Sequence, residues 1–249
     1  MTTLTDSTLL ITGGNRGIGR GLVDEALTRG AARVYVGTRR PLPHPDPRVT
    51  PIVLDVTDPA QVRRAAEQVA SLDILVNNAG VALPDVLDDR GALERHLAVN
   101  LFGTYDVTRA FLPHLLLSRG ALVNNLSVNG FAPLPVLPAY SVSKAAAFSL
   151  TQSLRTLLAG RGVRVHAVMT GPVDTDMTRD LDVPKATVAS VAQAVFDGVE
   201  KDEEEIFPDP LSAELADGWR GGMVKTLARR LADMPTAGPA EVRTDKEDR

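Results

Sequence analysis

YSVSK, residues Tyr140–Lys144, sets a phenol and a primary amine four positions apart. On a helix that spacing brings both side chains to one face. An isolated tyrosine titrates near pH ~10, too high for ready proton exchange at neutrality. A neighbouring ammonium favours the phenolate and draws that value down toward the working range. Ser127 closes an apolar run thirteen residues before the tyrosine, and its hydroxyl can hold a reacting oxygen near the phenol. The three groups together suit proton transfer to or from an alcohol or carbonyl oxygen. Taken without the serine, a Y-x-x-x-K pair reads equally as two residues on an exposed helix.

A second constellation concerns phosphate. In TGGNRGIG (Thr12–Gly19), Gly13, Gly17 and Gly19 follow a short apolar run. A strand entering such a turn and leaving as a helix lets a pyrophosphate approach the backbone and meet the unpaired N–H groups of the helix N-terminus. The spacing is G-x-x-x-G-x-G, which by itself serves equally to pack a strand on a helix. VYVGTRR then ends the next apolar run with Gly37, Thr38, Arg39 and Arg40 and no acid. A carboxylate there would accept from a ribose 2′-hydroxyl, whereas an arginine accommodates a 2′-phosphate. With Arg16 as a second cation in the glycine turn, the pattern predicts NADP(H) in preference to NAD(H). The alternative is two solvated arginines beside a loop.

These groups need a scaffold, and the chain alternates accordingly. Predicted strands are Thr8–Thr12, Val34–Thr38, Ile52–Leu54, Ile74–Val76, Ala121–Leu126 and Val163–Val168, nearly continuous in apolar residues as strands buried on both faces are. Helical stretches fall at Gly17–Arg29, Pro59–Ser71, Gly91–Leu117 and Ala139–Ala159. The alternation predicts an α/β fold, a doubly wound parallel sheet (Rossmann fold) in three α/β/α layers. One dinucleotide-binding and catalytic domain is expected over 1–235, with a polar tail at 236–249. The acidic run Glu200–Glu205 reads as a solvated turn. A last strand is expected at Glu205–Phe207, followed by one helix from about Leu211 to Ala232.

Composition narrows the classes further. A net charge of −4 without a basic stripe argues against nucleic-acid binding. The chain has no cysteine, which removes disulfides and thiolate ligands, and its four histidines lack ligand-like spacing, so no metal is expected. No apolar stretch approaches the roughly 20 residues of a membrane span, and the N-terminus lacks a secretory pattern; the expected location is the cytoplasm.

TGGNRGIG, LDVTD (Leu54–Asp58), NNAG (Asn77–Gly80), Ser127, YSVSK and GPVDT (Gly171–Thr175) stand in the order and at the spacing of the short-chain dehydrogenase/reductase family, which this chain resembles from about Thr8 to Met177. The resemblance implies an NAD(P)-dependent oxidoreductase acting on CH–OH or C=O groups. Tyr140 would be the general acid/base, Lys144 would also bind the nicotinamide ribose, and Ser127 would position the carbonyl or alcohol. It also implies that Asn100 supports a water linking Lys144 to solvent. In the cofactor site, Gly13, Asn15, Arg16, Gly17, Ile18 and Gly19 would form the turn, with Thr38 and Arg39 at the adenosine ribose and Asp55 and Val56 at adenine. Asn78, Ala79 and Gly80 would line the floor, while Gly171, Val173 and Thr175 would hold the nicotinamide end. Read without the family, Asn77 and Asn78 serve equally to stabilise a strand-end turn, and Asn100 to be a bonded interior amide.

Three places depart from the family pattern. Thr170-Gly171 stands where Pro-Gly is common, Asn124 and Asn125 interrupt a strand that is usually apolar, and EEIFPDPLSAEL replaces a glycine-containing C-terminal segment. FAPLPVLP (Phe131–Pro138) implies a partly apolar small-molecule substrate if it borders the pocket; otherwise it packs under a loop or at a subunit contact. Asp176 to Pro184 reads as a flap over the substrate. By analogy with family dimers a homodimer or homotetramer is expected. A dinucleotide-sensing, non-catalytic protein on the same fold is the alternative reading.

Overall fold

The computed structural model describes residues 2–232, and the tail expected at 236–249 lies outside them. Seven parallel strands form one sheet in the order β3-β2-β1-β4-β5-β6-β7. They are β1 (Thr8–Thr12), β2 (Arg33–Thr38), β3 (Val49–Val53), β4 (Ile74–Asn77), β5 (Ala121–Asn125), β6 (Arg164–Val168) and β7 (Glu205–Ile206). The helices are α1 (Gly17–Thr28), α2 (Pro59–Gln68), α3 (Arg90–Leu97), α4 (Thr104–Ser118), α5 (Pro138–Leu158), α6 (Val188–Glu200), α7 (Pro210–Arg220) and α8 (Met223–Ala232).

Successive side chains of a strand face opposite sides, so an apolar run feeds two cores. From β1, Leu9 and Ile11 pack toward α1 and α6 with Val23, Val195 and Phe196. Leu10, between them, packs with Leu75, Phe111, Leu115 and Leu122 on the side of α2, α4 and α5. The doubly wound sheet expected from the alternation is therefore present, with both faces covered.

Several boundaries differ from expectation. The third strand starts at Val49 and contains Pro51, which is tolerated because β3 is an edge strand and needs no donor on its open side. The helix expected over Gly91–Leu117 is instead α3, a π-helical turn at Ala98–Gly103, and α4. The helix expected from Leu211 to Ala232 breaks into α7 and α8 at Gly221-Gly222, where two glycines cost the most backbone entropy to keep helical. The acidic run is not wholly solvated. Glu205 is buried, accepting from Arg155 Nη1 at 2.7 Å, Lys225 Nζ at 2.6 Å and Trp219 Nε1 at 3.0 Å. No described helix is long and apolar enough to cross a membrane.

Candidate active site

In a parallel sheet all strands end on one edge, and the crevice opens where the chain reverses its direction of winding. Here that place lies between β1 and its neighbour β4. The glycine turn after β1 meets the NNAG segment after β4 through Thr12. Its hydroxyl accepts the Asn78 and Ala79 N–H groups at 3.0 Å each, and its carbonyl accepts Asn78 Nδ2 at 3.0 Å. Gly17 has φ +51°, the left-handed region, and a Cβ on Gly19 would strike the Gly13 carbonyl. Both positions therefore require glycine.

The helix that follows is left open to an anion. Its N-cap, Arg16, makes no side-chain cap, and its first turn carries no acid. The leading N–H groups of α1 thus meet no carboxylate from the helix's own first turn. At the end of β2 the Thr38 hydroxyl is buried without a hydrogen-bond partner, and Arg39 and Arg40 are exposed beside it. Unpaired buried hydroxyls call for a partner. An open helix N-terminus and an orphaned hydroxyl one strand away fit a dinucleotide's pyrophosphate and ribose. Arg16, in the glycine turn, places Nη1 3.9 Å from Asp176 Oδ2, both side chains being exposed. Asp55 closes a local turn by accepting from the Thr57 N–H and hydroxyl, Asp58 caps α2, and Val56 is buried.

The residues expected to handle the proton come from the end of β5, from α5 and from the π-helical turn. Ser127 sits at the end of β5, where its Oγ accepts the Asn129 N–H at 3.1 Å. Pro138 opens α5 in the N-terminal turn, where its missing N–H costs nothing. The helix start is held by Asp85, whose carboxylate accepts the Ala139 N–H at 3.2 Å. His96 fastens the same loop, Nε2 accepting from the Leu83 N–H at 3.0 Å and Nδ1 lying 2.8 Å from the Ala92 carbonyl, and its ring meets Tyr140 edge-on.

Tyr140 and Lys144 are both buried on one face of α5. Lys144 Nζ donates to the Asn125 carbonyl at 2.8 Å and lies 5.7 Å from the centre of the Tyr140 ring. The expected downward pull on the phenol is absent in the protein alone. Burial pushes Tyr140 up to about 12, with the Ser127 hydroxyl opposing, and burial draws Lys144 down to about 8. Desolvation governs both groups, and the amine's hydrogen bond goes to the Asn125 carbonyl. Asn100, in the π-helical turn, accepts from the Val81 N–H and donates to the Val81 carbonyl and Ser143 Oγ, each at 2.9 Å. A Cβ on Gly80 would lie 3.3 Å from Asn100 Oδ1 and 3.8 Å from Lys144 Nζ, so Gly80 sits close against both.

The Asn124–Asn125 pair is fully accounted for. Asn124 accepts from Asn77 Nδ2 and donates to Thr151 Oγ1, both at 2.9 Å, inside the α4–α5 side of the sheet. Asn125 donates to Asn78 Oδ1 at 2.9 Å and accepts from Thr170 Oγ1 at 2.8 Å. Beyond β6 the Gly171 N–H donates to Asp209 Oδ2 at 2.7 Å. Val173 bridges to Ala186 and Thr175 caps a short turn at Asp176–Thr178, which closes the base of the expected flap. Phe131 is half-buried and belongs to an aromatic cluster. It stacks on Trp219 at 4.7 Å and meets Phe148 edge-on, the loop-packing alternative. Asp209, His96 and Asp85 were not singled out from sequence. Only Asp209 carried a signal there, an aspartate directly before a proline, the pattern of a helix N-cap.

Comparison with known proteins agrees with this geometry. Residues 7–185 match the short chain dehydrogenase family. The chain is 34% identical over 215 residues to the oxidoreductase UcpA of Escherichia coli, covering 77% of this chain and 81% of that one. It is 35% identical over 187 residues to a sorbitol dehydrogenase of Cereibacter sphaeroides, covering 69% and 72%. A short chain dehydrogenase from Burkholderia cenocepacia, solved in complex with NADP, superposes with a TM-score of 0.84 at 36% identity, covering 94% of this chain and all of the other.

Proposed function

This chain belongs to the short-chain dehydrogenase family, an NAD(P)-dependent oxidoreductase by that membership, and from that premise we propose that it transfers hydride between NADP(H) and a carbonyl/alcohol pair, with Tyr140 exchanging the proton. The observation that carries the reading is the shared burial of Tyr140 and Lys144 beside Ser127, with Gly80 of the cofactor floor close against the amine. The glycine turn and the α1 N-terminus hold the pyrophosphate, Thr38 and Arg39 receive the phosphorylated ribose, and Gly171, Val173 and Thr175 bound the nicotinamide end. When bound, the nicotinamide supplies or accepts the hydride.

The residues then do the rest. A phenol held near 12 is protonated at neutrality and is thus ready to donate to an oxygen that is gaining charge. Ser127 holds that oxygen in place and contributes a hydrogen bond as the charge grows. In the alcohol-oxidising direction the Lys144 ammonium and the charge of the oxidised ring both favour the phenolate, offsetting burial. The NADP seen in the Burkholderia relative supports the phosphorylated cofactor. Assay of a ketone and alcohol panel with NADP(H) and NAD(H) tests the reading: turnover with higher efficiency for NADP(H) is expected, and dinucleotide binding without turnover would favour the sensing alternative.

A homodimer or homotetramer is the expected assembly. Phe102, Tyr105 and Leu117 along the α4 segment and Val142 and Leu157 on α5 are exposed apolar side chains, on the helices expected to pair. Light scattering after gel filtration checks it. A cytoplasmic location is part of this reading, and the cysteine-free composition fits a reducing compartment.

A further inference from the structure

The three departures from the family pattern converge on one set of hydrogen bonds. Asn78 stands just beyond β4, Asn125 ends β5, Thr170 lies just beyond β6 and Asp209 just beyond β7. Asn125 Nδ2 donates to Asn78 Oδ1, the Thr170 hydroxyl donates to Asn125 Oδ1, and the next residue, Gly171, donates its N–H to Asp209. Asp209 and Thr170 are buried, and Asp209 is fixed in turn by the Ser212 N–H at 3.0 Å and the Ser212 hydroxyl at 2.7 Å. The backbone carbonyl of the same Asn125 takes the Lys144 amine.

We propose that Asn125, Thr170 and Asp209 are positioning residues that tie the cofactor floor, the Lys144 amine and the nicotinamide-end turn into one rigid rim. The inference rests on the dinucleotide reading above. A Pro-Gly turn constrains its backbone by the proline ring. Thr170 has no such ring, and its side chain replaces that constraint with a bond to Asn125. Asp209, supplied by the altered C-terminal segment, holds the Gly171 amide from the other side. An apolar residue at 125 could neither receive the threonine nor hold Asn78. Each departure thus makes sense only with the others, and a disturbance at Thr170 reaches Lys144 through a single residue. Adenosine-side groups, at the ends of β2 and β3, are not part of this chain of bonds.

That asymmetry defines the test. Fluorescence titration of NADPH is set beside calorimetric titration of 2′-phospho-ADP-ribose, which lacks the nicotinamide, for the unaltered protein, Thr170→Val, Thr170→Ser and Asp209→Asn. Thr170→Val is expected to weaken NADPH by about three- to tenfold, the loss of one or two hydrogen bonds' worth of positioning, and to leave the fragment unchanged. Thr170→Ser is expected to restore NADPH binding. In the cofactor-free protein, amide exchange across residues 169–175 is expected to quicken in Thr170→Val and Asp209→Asn. Equal weakening of NADPH and fragment would mark a merely structural role and overturn the proposal, as would unchanged NADPH binding and exchange. Failure of the unaltered protein to bind either ligand would instead bring down the dinucleotide reading itself, and this inference with it.

Discussion

The Lys144 amine donates to the main-chain carbonyl of Asn125 across 2.8 Å while lying 5.7 Å from the centre of the Tyr140 ring on its own helix. The spacing of tyrosine and lysine predicts a mutual electrostatic effect; the amine's hydrogen bond goes to the carbonyl instead. In the cofactor-free protein the phenol and the amine are each governed by burial, which raises one and lowers the other.

Removing the phenol oxygen separates chemistry from binding. Tyr140→Phe keeps the buried ring and its edge contact with His96, so cofactor affinity and melting temperature are expected to hold. Turnover is expected to fall by about a hundred- to ten-thousandfold, the usual worth of a positioned proton donor. Steady-state assay beside NADPH titration reads both, and wild-type turnover in this variant would refute the role of Tyr140.

The amine gives a pH signature. Its ordinary value of 10.5 falls to about 8 on folding. Between these values the unfolded chain binds the proton and the folded one does not, so Lys144 makes stability rise as pH increases from about 8 to 10.5. Tyr140 works oppositely: its contribution is intact below its ordinary 10.0 and is lost as pH climbs through about 12. Urea unfolding of wild type minus Lys144→Met, followed across this range, is expected to show the first rise; a flat difference would contradict it.

Glu205 joins β7 to α5, α7 and α8. Glu205→Ala leaves Arg155 and Lys225 without their buried carboxylate and is expected to cost about 3–5 kcal/mol. Glu205→Gln, which retains an acceptor for Trp219, is expected to cost less. Denaturant midpoints of the two variants check the order.

Arg39 is exposed at the end of β2, next to the unpartnered Thr38 hydroxyl. Arg39→Asp is expected to lower the NADP(H)-to-NAD(H) efficiency ratio by about tenfold, from loss of a charge-assisted bond and gain of a repulsion. Asp176→Asn, which releases Arg16 from its only carboxylate within 4.0 Å among the described residues, is expected to raise NADP(H) affinity in low salt only. Efficiency ratios and binding measured at two ionic strengths decide both.

Much of this was legible in the chain. Apolar runs leading into glycine or asparagine located β1, β2, β4 and β5, because strands buried on both faces need no polar alternation. Tyr140, Lys144, Ser127 and the glycine turn were found because their chemistry constrains local spacing. The strand containing Pro51 began earlier than its pattern suggested, since edge position, not local sequence, decides whether a proline is tolerated. The break at Gly221-Gly222 was missed because the amphipathic pattern carries across it. Asp209 and Asp85 escaped notice because their partners, Gly171 and Ala139, lie 38 and 54 positions away in the chain.

By itself, then, the sequence determined the order of elements and the parallel sheet, and it offered the candidate groups for proton transfer, since helical and strand periods and local spacings are properties of neighbouring residues. Tertiary structure alone decided where the Lys144 amine donates, that burial raises the phenol, and that Asn125, Thr170 and Asp209 belong together. Those depend on which strand ends lie side by side, and on how far water is excluded there, neither of which is a property of any short stretch of chain.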